Sequence, residues 1–168
     1  MNPAGRLTRA TLLAALLLTL LLGACATLPP AAGTPRAQVL QLWGPPTAEY
    51  ALPAGVQRLE YASGPYGRTT WMLDLDAEGR LQQARQVLNE AEFNAVMAQT
   101  GQRAAEVRQR LGTPGEVRPL GWRGGEVWGW RYPTNDCLWF EISFSAEGRV
   151  QGGGYGADPR CDTPADRD

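Results

Sequence analysis

The chain of 168 residues contains no histidine. That absence removes serine–histidine triads, histidine general bases and histidine metal ligands from consideration. Lysine is missing too, so all 16 basic residues are arginine, against 17 acidic ones. A formal net charge of −1 leaves no basic footprint for nucleic acid. Cysteine is scarce, at three. Glycine and proline are plentiful: 20 and 13 residues, about a fifth of the chain, suit short strands and many turns better than a helical bundle. The hydrophobic content of 43% is ordinary for a globular protein. The length is that of about one domain, or of two very small ones.

The N-terminus reads as a leader. Arg6 and Arg9 precede the apolar run TLLAALLLTLLL, Thr11 to Leu22. A basic segment followed by a short apolar one is a secretory signal. The run falls short of the roughly 20 residues of a comfortable membrane span. Leu22-Gly23-Ala24-Cys25 resembles a bacterial lipobox, in which small residues admit the peptidase and the cysteine takes a diacylglycerol. The other reading is an ordinary signal with a chance cysteine. Two or three acyl chains would hold the protein on a bilayer, at ~0.8 kcal/mol per buried CH₂. Losing Arg6 and Arg9 leaves 14 Arg against 17 acids, a net charge of −3. By the sorting rule of such lipoproteins, Ala26 in place of Asp implies the outer membrane.

Cys137 and Cys161 remain, and an oxidising periplasm favours a disulfide between them. It would close a loop of about 25 residues, worth roughly 3–4 kcal/mol in the chain-entropy model. The alternative is a reactive thiol or metal pair, for which no third ligand of the usual type lies nearby.

The chain repeats itself. Gly33 to Pro46 lies over Gly101 to Pro114 at an offset of 68, matching Gly33/Gly101, Val39/Val107, Gln41/Gln109, Gly44/Gly112 and Pro46/Pro114. Ala77-Glu78-Gly79-Arg80 matches Ala146-Glu147-Gly148-Arg149 at 69, and Tyr61 matches Tyr132 at 71, implying loops of unequal length. Each copy predicts a helix, over 34–43 and 102–111, with Thr34 as N-cap, Pro35 at its first position, and Gly44 and Gly112 closing the ends. Asn89 with Glu92 predicts a further capped helix, with Phe93, Val96 and Met97 as its stripe. Thr100-Gly101 separates that helix from the next.

Three strands are expected after each helix, over 56–62, 69–75 and 80–87, then 126–132, 137–144 and 149–155. The two Ala-Glu-Gly-Arg segments are hairpin turns. Alternation turns Trp71, Leu73, Leu75, Leu59 and Tyr61 towards the helices, with Phe140, Ile142, Phe144, Trp128, Trp130 and Tyr132 in the second copy. Thr70, Met72, Asp74, Trp139, Glu141, Ser143 and Arg131 fall on the opposite face. The expected architecture is α+β: two tandem units, each a helix or helix pair followed by a three-stranded antiparallel sheet, with helices on one face and the other open. Its boundaries are a signal peptide over 1–24, a lipidated linker over 25–32, repeats over 33–88 and 89–156, and a tail over 157–168.

Gly101, Val107, Leu111, Gly112, Pro114, Tyr132 and Gly148, with Gly33, Val39, Gly44, Pro46, Tyr61 and Gly79 in the first copy, resemble the SmpA/OmlA (BamE-like) outer-membrane lipoprotein family. Trp43 stands where Leu is usual. The duplication resembles the tandem layout of the β-lactamase inhibitor protein. The resemblance implies a non-enzymatic, lipid-anchored periplasmic adaptor in envelope or outer-membrane protein assembly. Its partners would be outer-membrane lipid, through Cys25, and a periplasmic or outer-membrane protein such as the barrel-assembly machinery. The alternative is a BLIP-like inhibitor or ligand-binding module acting on a periplasmic enzyme.

Little in the residues points to chemistry. Asp74-Leu75-Asp76-Ala77-Glu78-Gly79 imitates the start of a calcium loop, but its twelfth position is Arg85 where a bidentate Glu is needed. Gly152-Gly153-Gly154-Tyr155-Gly156 lacks the context and lysine of a phosphate loop. Asp74 and Glu141 could serve as acid and base only if they shared a cleft. No catalytic residue, metal site or cofactor is assigned. The candidate partner-binding residues are Trp139, Glu141, Arg131 and Met72, because exposed aromatic and arginine side chains suit protein interfaces. Alternatively, the tail, stapled through Cys161, folds over Trp139 and simply covers it.

Overall fold

The structure, a computed structural model, describes residues 28–99 and 101–161. The leader and Cys25 lie outside the described residues. The fold is α+β. Its first half runs α1 (Arg36–Trp43), β1 (Ala48–Ala51), β2 (Gln57–Ala62), β3 (Thr70–Leu75) and β4 (Leu81–Gln86). The second runs α2 (Glu90–Met97), α3 (Ala104–Leu111), β5 (Glu116–Pro119), β6 (Glu126–Arg131), β7 (Leu138–Phe144) and β8 (Val150–Ala157). Each half forms its own antiparallel sheet, in the order β1-β2-β3-β4 and β5-β6-β7-β8.

The sheets therefore have four strands and not three. The additional strands, β1 and β5, are edge strands of four residues. Both follow the prolines that close a helix, and they are too short to show an alternating pattern. Pro119 ends β5, a position an edge strand tolerates because no inner ladder needs its missing N–H.

The helices end as the sequence predicts and begin differently. Gly44 and Gly112 close α1 and α3 at φ of 76° and 82°, a conformation costly for any residue with a Cβ. Pro35 is the N-cap of α1, while the Thr34 hydroxyl donates to the Ala31 carbonyl at 2.7 Å. Asn89 caps α2 as expected, its side chain accepting from the Glu92 N–H at 3.1 Å. Glu92 does not complete a capping box; it faces outwards to two arginines.

Strand register refines the internal correspondence. Tyr61 opposes Trp71 as Trp130 opposes Phe140. Leu75 opposes Leu81 as Phe144 opposes Val150, each after a register shift. The Tyr61 hydroxyl donates to the Gly44 carbonyl at 3.0 Å, and the Trp130 indole N–H donates to the Gly112 carbonyl at 3.2 Å. Tyr61 thus matches Trp130, and its pairing with Tyr132 is corrected. The offset is 69 throughout β2–β4 and β6–β8, so those hairpin loops are equal in length. The bridges Pro35↔Arg80 and Arg103↔Arg149 tie each helix start to its own last hairpin.

Two apolar clusters hold the halves. Val39 of α1 packs with Leu59, Leu73, Leu75 and Leu81 on one face of the first sheet. The larger cluster joins Phe93, Val96, Val107 and Leu111 of α2 and α3 to Trp128, Trp130, Phe140, Ile142 and Phe144 of the second sheet. It also takes in Met72 from the first sheet. The first sheet is therefore covered on both faces, and the expected open face is not found there. The polar residues of that second face are partly or fully buried and are paired, because an unpaired polar group away from water is costly. Arg58 holds Asp74 through two bonds of 2.6 and 2.7 Å and donates to the Gln109 carbonyl at 2.8 Å. Buried Glu60 accepts from the Tyr50 hydroxyl at 2.6 Å and from the Thr113 N–H at 2.8 Å. Burial first, and then the hydrogen bond to Glu60, push the Tyr50 hydroxyl pKa well above its usual range.

Candidate functional site

The residues chosen for an open sheet face do not form one. Met72 is fully buried in the larger cluster, which corrects its assignment to the solvent side. Trp139 is only 2% exposed, and Arg131 is buried with it. Trp139 points away from α2 and α3, as alternation requires, but lies against the sheet itself. A Cβ on Gly129 would come within 2.8 Å of its ring, and one on Gly156 within 3.3 Å. Arg118 and Arg131 stand over the ring at 5.4 and 5.1 Å from its centre. Glu141, partly exposed, forms an ion pair with Arg118.

The tail reaches this face at Arg131. Cys137 and Cys161 are disulfide-bonded, with Cα atoms 5.9 Å apart. That bridge places Asp158 against Arg131, where two hydrogen bonds of 2.7 and 2.8 Å join them in a buried pair. Burial pushes the Asp158 carboxyl up. The bond from Arg131, the Arg160 N–H and both guanidinium charges outweigh it and hold the carboxyl below its usual value. Arg131 also donates to the Pro65 carbonyl at 3.1 Å, and Arg160 stacks on Tyr66 at 3.9 Å. Trp139 is therefore covered, but the side chains over its ring are Arg118 and Arg131, and the tail reaches this face at Arg131 through Asp158.

A polar cleft of about 520 Å³ opens between the first sheet and the helices of the second half, bordered by Arg58, Arg85, Glu92, Gln102, Glu106 and Arg110. Several of its side chains are held within the chain. Glu92 binds Arg85 at 3.0 Å and Arg110 at 2.7 Å. Glu106 accepts from the Arg103 N–H at 2.7 Å. Asp74 and Glu141 lie on different sheets, each with its own arginine, and so share no cleft. Asp76 accepts from the Glu78 and Arg80 N–H groups, which makes the calcium-like segment a hairpin turn. Among the described residues, no group of three His, Cys, Asp or Glu side chains could hold a metal ion.

An apolar groove of about 350 Å³ lies in the first half, where Leu42 and Trp43 of α1 meet Tyr61, Ser63 and Trp71. Trp43 meets Tyr61 edge-on at 5.1 Å and Trp71 at 6.0 Å. All three rings are half-buried, and Leu42 is 60% exposed. Partial burial raises the Tyr61 hydroxyl pKa. The alternation placed Trp71 and Tyr61 on the helix side, which is right, and so concealed that α1 alone leaves them half-exposed. The available signal was Trp43, with Leu42 beside it, at the end of a two-turn helix.

No helix among the described residues is long and apolar enough to cross a membrane. No family model, characterised protein or solved structure matches the chain.

Proposed function

We propose that this chain is a non-enzymatic adaptor, anchored to the outer membrane through acylated Cys25 and facing the periplasm, that works by docking other proteins. The observation that carries the reading is the half-exposed aromatic groove of Leu42, Trp43, Tyr61 and Trp71. Clustered apolar side chains left partly in water are characteristic of interaction surfaces. In the polar cleft, by contrast, Glu92 is already held by Arg85 and Arg110, and histidine is absent from the chain. The equivalent hydrogen bonds at Gly44 and Gly112 and the constant strand offset support a tandem duplication, with repeats over 33–88 and 89–156. The residues shared with the SmpA/OmlA (BamE-like) lipoproteins support a role in envelope or outer-membrane protein assembly.

Fractionation of the Cys25→Ser variant tests the anchor: the protein should leave the membranes, and unchanged fractionation would reject it. Co-purification from solubilised envelopes tests the process. Barrel-assembly subunits support the adaptor, whereas a periplasmic hydrolase supports the BLIP-like inhibitor.

A further inference from the structure

The groove of the first half lies where the second half carries a helix. Trp71 stands at the place of Phe140, and Tyr61 at that of Trp130. Trp43 and Leu111 each precede the glycine that closes their helix, so Leu42 corresponds to Arg110. In the second half α2 covers these positions. Phe93 stacks on Phe140 with ring centres 4.2 Å apart and planes 9° apart, and meets Tyr132 edge-on at 5.3 Å. Glu92 reaches Arg110 at 2.7 Å. Leu111, Trp130 and Phe140 are consequently buried. In the first half, no described helix precedes α1. Among the described residues, the aromatic floor is present there without its cover.

We propose that this groove docks a short amphipathic helix of a partner protein, which sets an aromatic side chain on Trp71 and an aliphatic one against Leu42. The occupant's chemistry is read from α2, whose Phe93, Val96 and Met97 form the apolar stripe typical of helix-in-groove recognition. Leu42 replaces the cation that receives Glu92, so the partner carries an apolar residue where α2 carries an acid. The stretch DTPADRD after Cys161 carries no aromatic residue to set on Trp71, and the disulfide fixes Cys161 itself in the second half. On the lipoprotein reading only Cys25, Ala26 and Thr27 precede Leu28, too few for a helix. The inference deepens the adaptor reading, on which it rests for the existence of a partner.

The test uses the full chain in detergent micelles with ¹⁵N-labelled tryptophan, its indole signals assigned by Trp→Phe variants. The probes are two peptides of the α2 sequence over 89–99, one unaltered and one with Glu92→Leu. Both are stapled between positions 94 and 98, which are exposed on α2. The staple is needed because so short a helix is marginal alone. The Glu92→Leu peptide should shift the indole signals of Trp43 and Trp71 and leave those of Trp128 and Trp130 in place. It should bind about ten-fold more tightly than the unaltered peptide, the order expected for burying one leucine side chain. A further Phe93→Ala change in the peptide should abolish the shifts. Leu42→Arg in the protein, at an exposed side chain, should reverse the preference between the two peptides. No shift at millimolar peptide, shifts confined to other tryptophans, or a preference unmoved by Leu42→Arg would overturn the proposal. Each of these results is independent of the Cys25→Ser fractionation, so failure of the groove and failure of the anchor are told apart.

Discussion

Replacing Met72 with alanine separates a sheet face open to solvent from one covered by the second half. Met72 is fully buried and packs in the same cluster as Phe93, Val107 and Leu111. Truncating it removes three heavy atoms from a closed interior, and neighbours on two sheets and two helices can collapse only partly. Buried Met→Ala changes cost about 2–5 kcal/mol. For a domain of this size that lowers Tm by on the order of 10 °C. An exposed methionine would change stability by less than about 0.5 kcal/mol. The assay is urea unfolding of the acyl-free Cys25→Ser protein, followed by tryptophan fluorescence, with exposed Gln83→Ala on the adjacent strand as control. A midpoint shift equivalent to less than about 0.5 kcal/mol at unchanged slope would refute the two-sided burial of the first sheet.

The glycines under Trp139 make a paired test. Gly129→Ala should cost about 1–3 kcal/mol, because the new Cβ would sit 2.8 Å from the Trp139 ring, whereas Gly154→Ala meets nothing within 4 Å and should be neutral or slightly stabilising in the same unfolding assay. Asp158→Asn should cost about 3–5 kcal/mol at neutral pH, since it leaves Arg131 buried beside an uncharged partner. The pH dependence has a definite sign: a carboxyl lowered in the folded state adds stability above its unfolded value, near 3.9, and loses it as pH falls through the folded one. Denaturation curves between about pH 2 and pH 5 should therefore be flatter in Asp158→Asn than in the parent; equal slopes would reject the pairing.

Much of the local structure was legible in one dimension. The turn glycines Gly44, Gly79, Gly112 and Gly148 all take positive φ, and the residues that flank them mark helix ends and hairpins. The alternating faces of β2, β3, β6 and β7 are those that Leu59, Leu73, Trp130 and Ile142 announce. The edge strands β1 and β5 were not legible, because four residues are too few to establish a period. The covered face was not legible either. Alternation assigns a side of the sheet, not what lies beyond it, and Thr70, Asp74 and Arg131 look alike on a wet face and on one buried in satisfied pairs.

From composition and pattern alone came the α+β class, the doubled unit, the capped helix at Asn89 and the candidate disulfide, since each depends on neighbours a few residues apart or on a repeat of such neighbours. Tertiary packing alone decided that Met72 and Trp139 are interior and that Asp158 neutralises Arg131. Packing also decided that the aromatic floor covered by Phe93 in one half lies half-open in the other. Contacts between residues some 25 to 70 positions apart depend on how the halves and the tail come together, and burial is a property of that assembly.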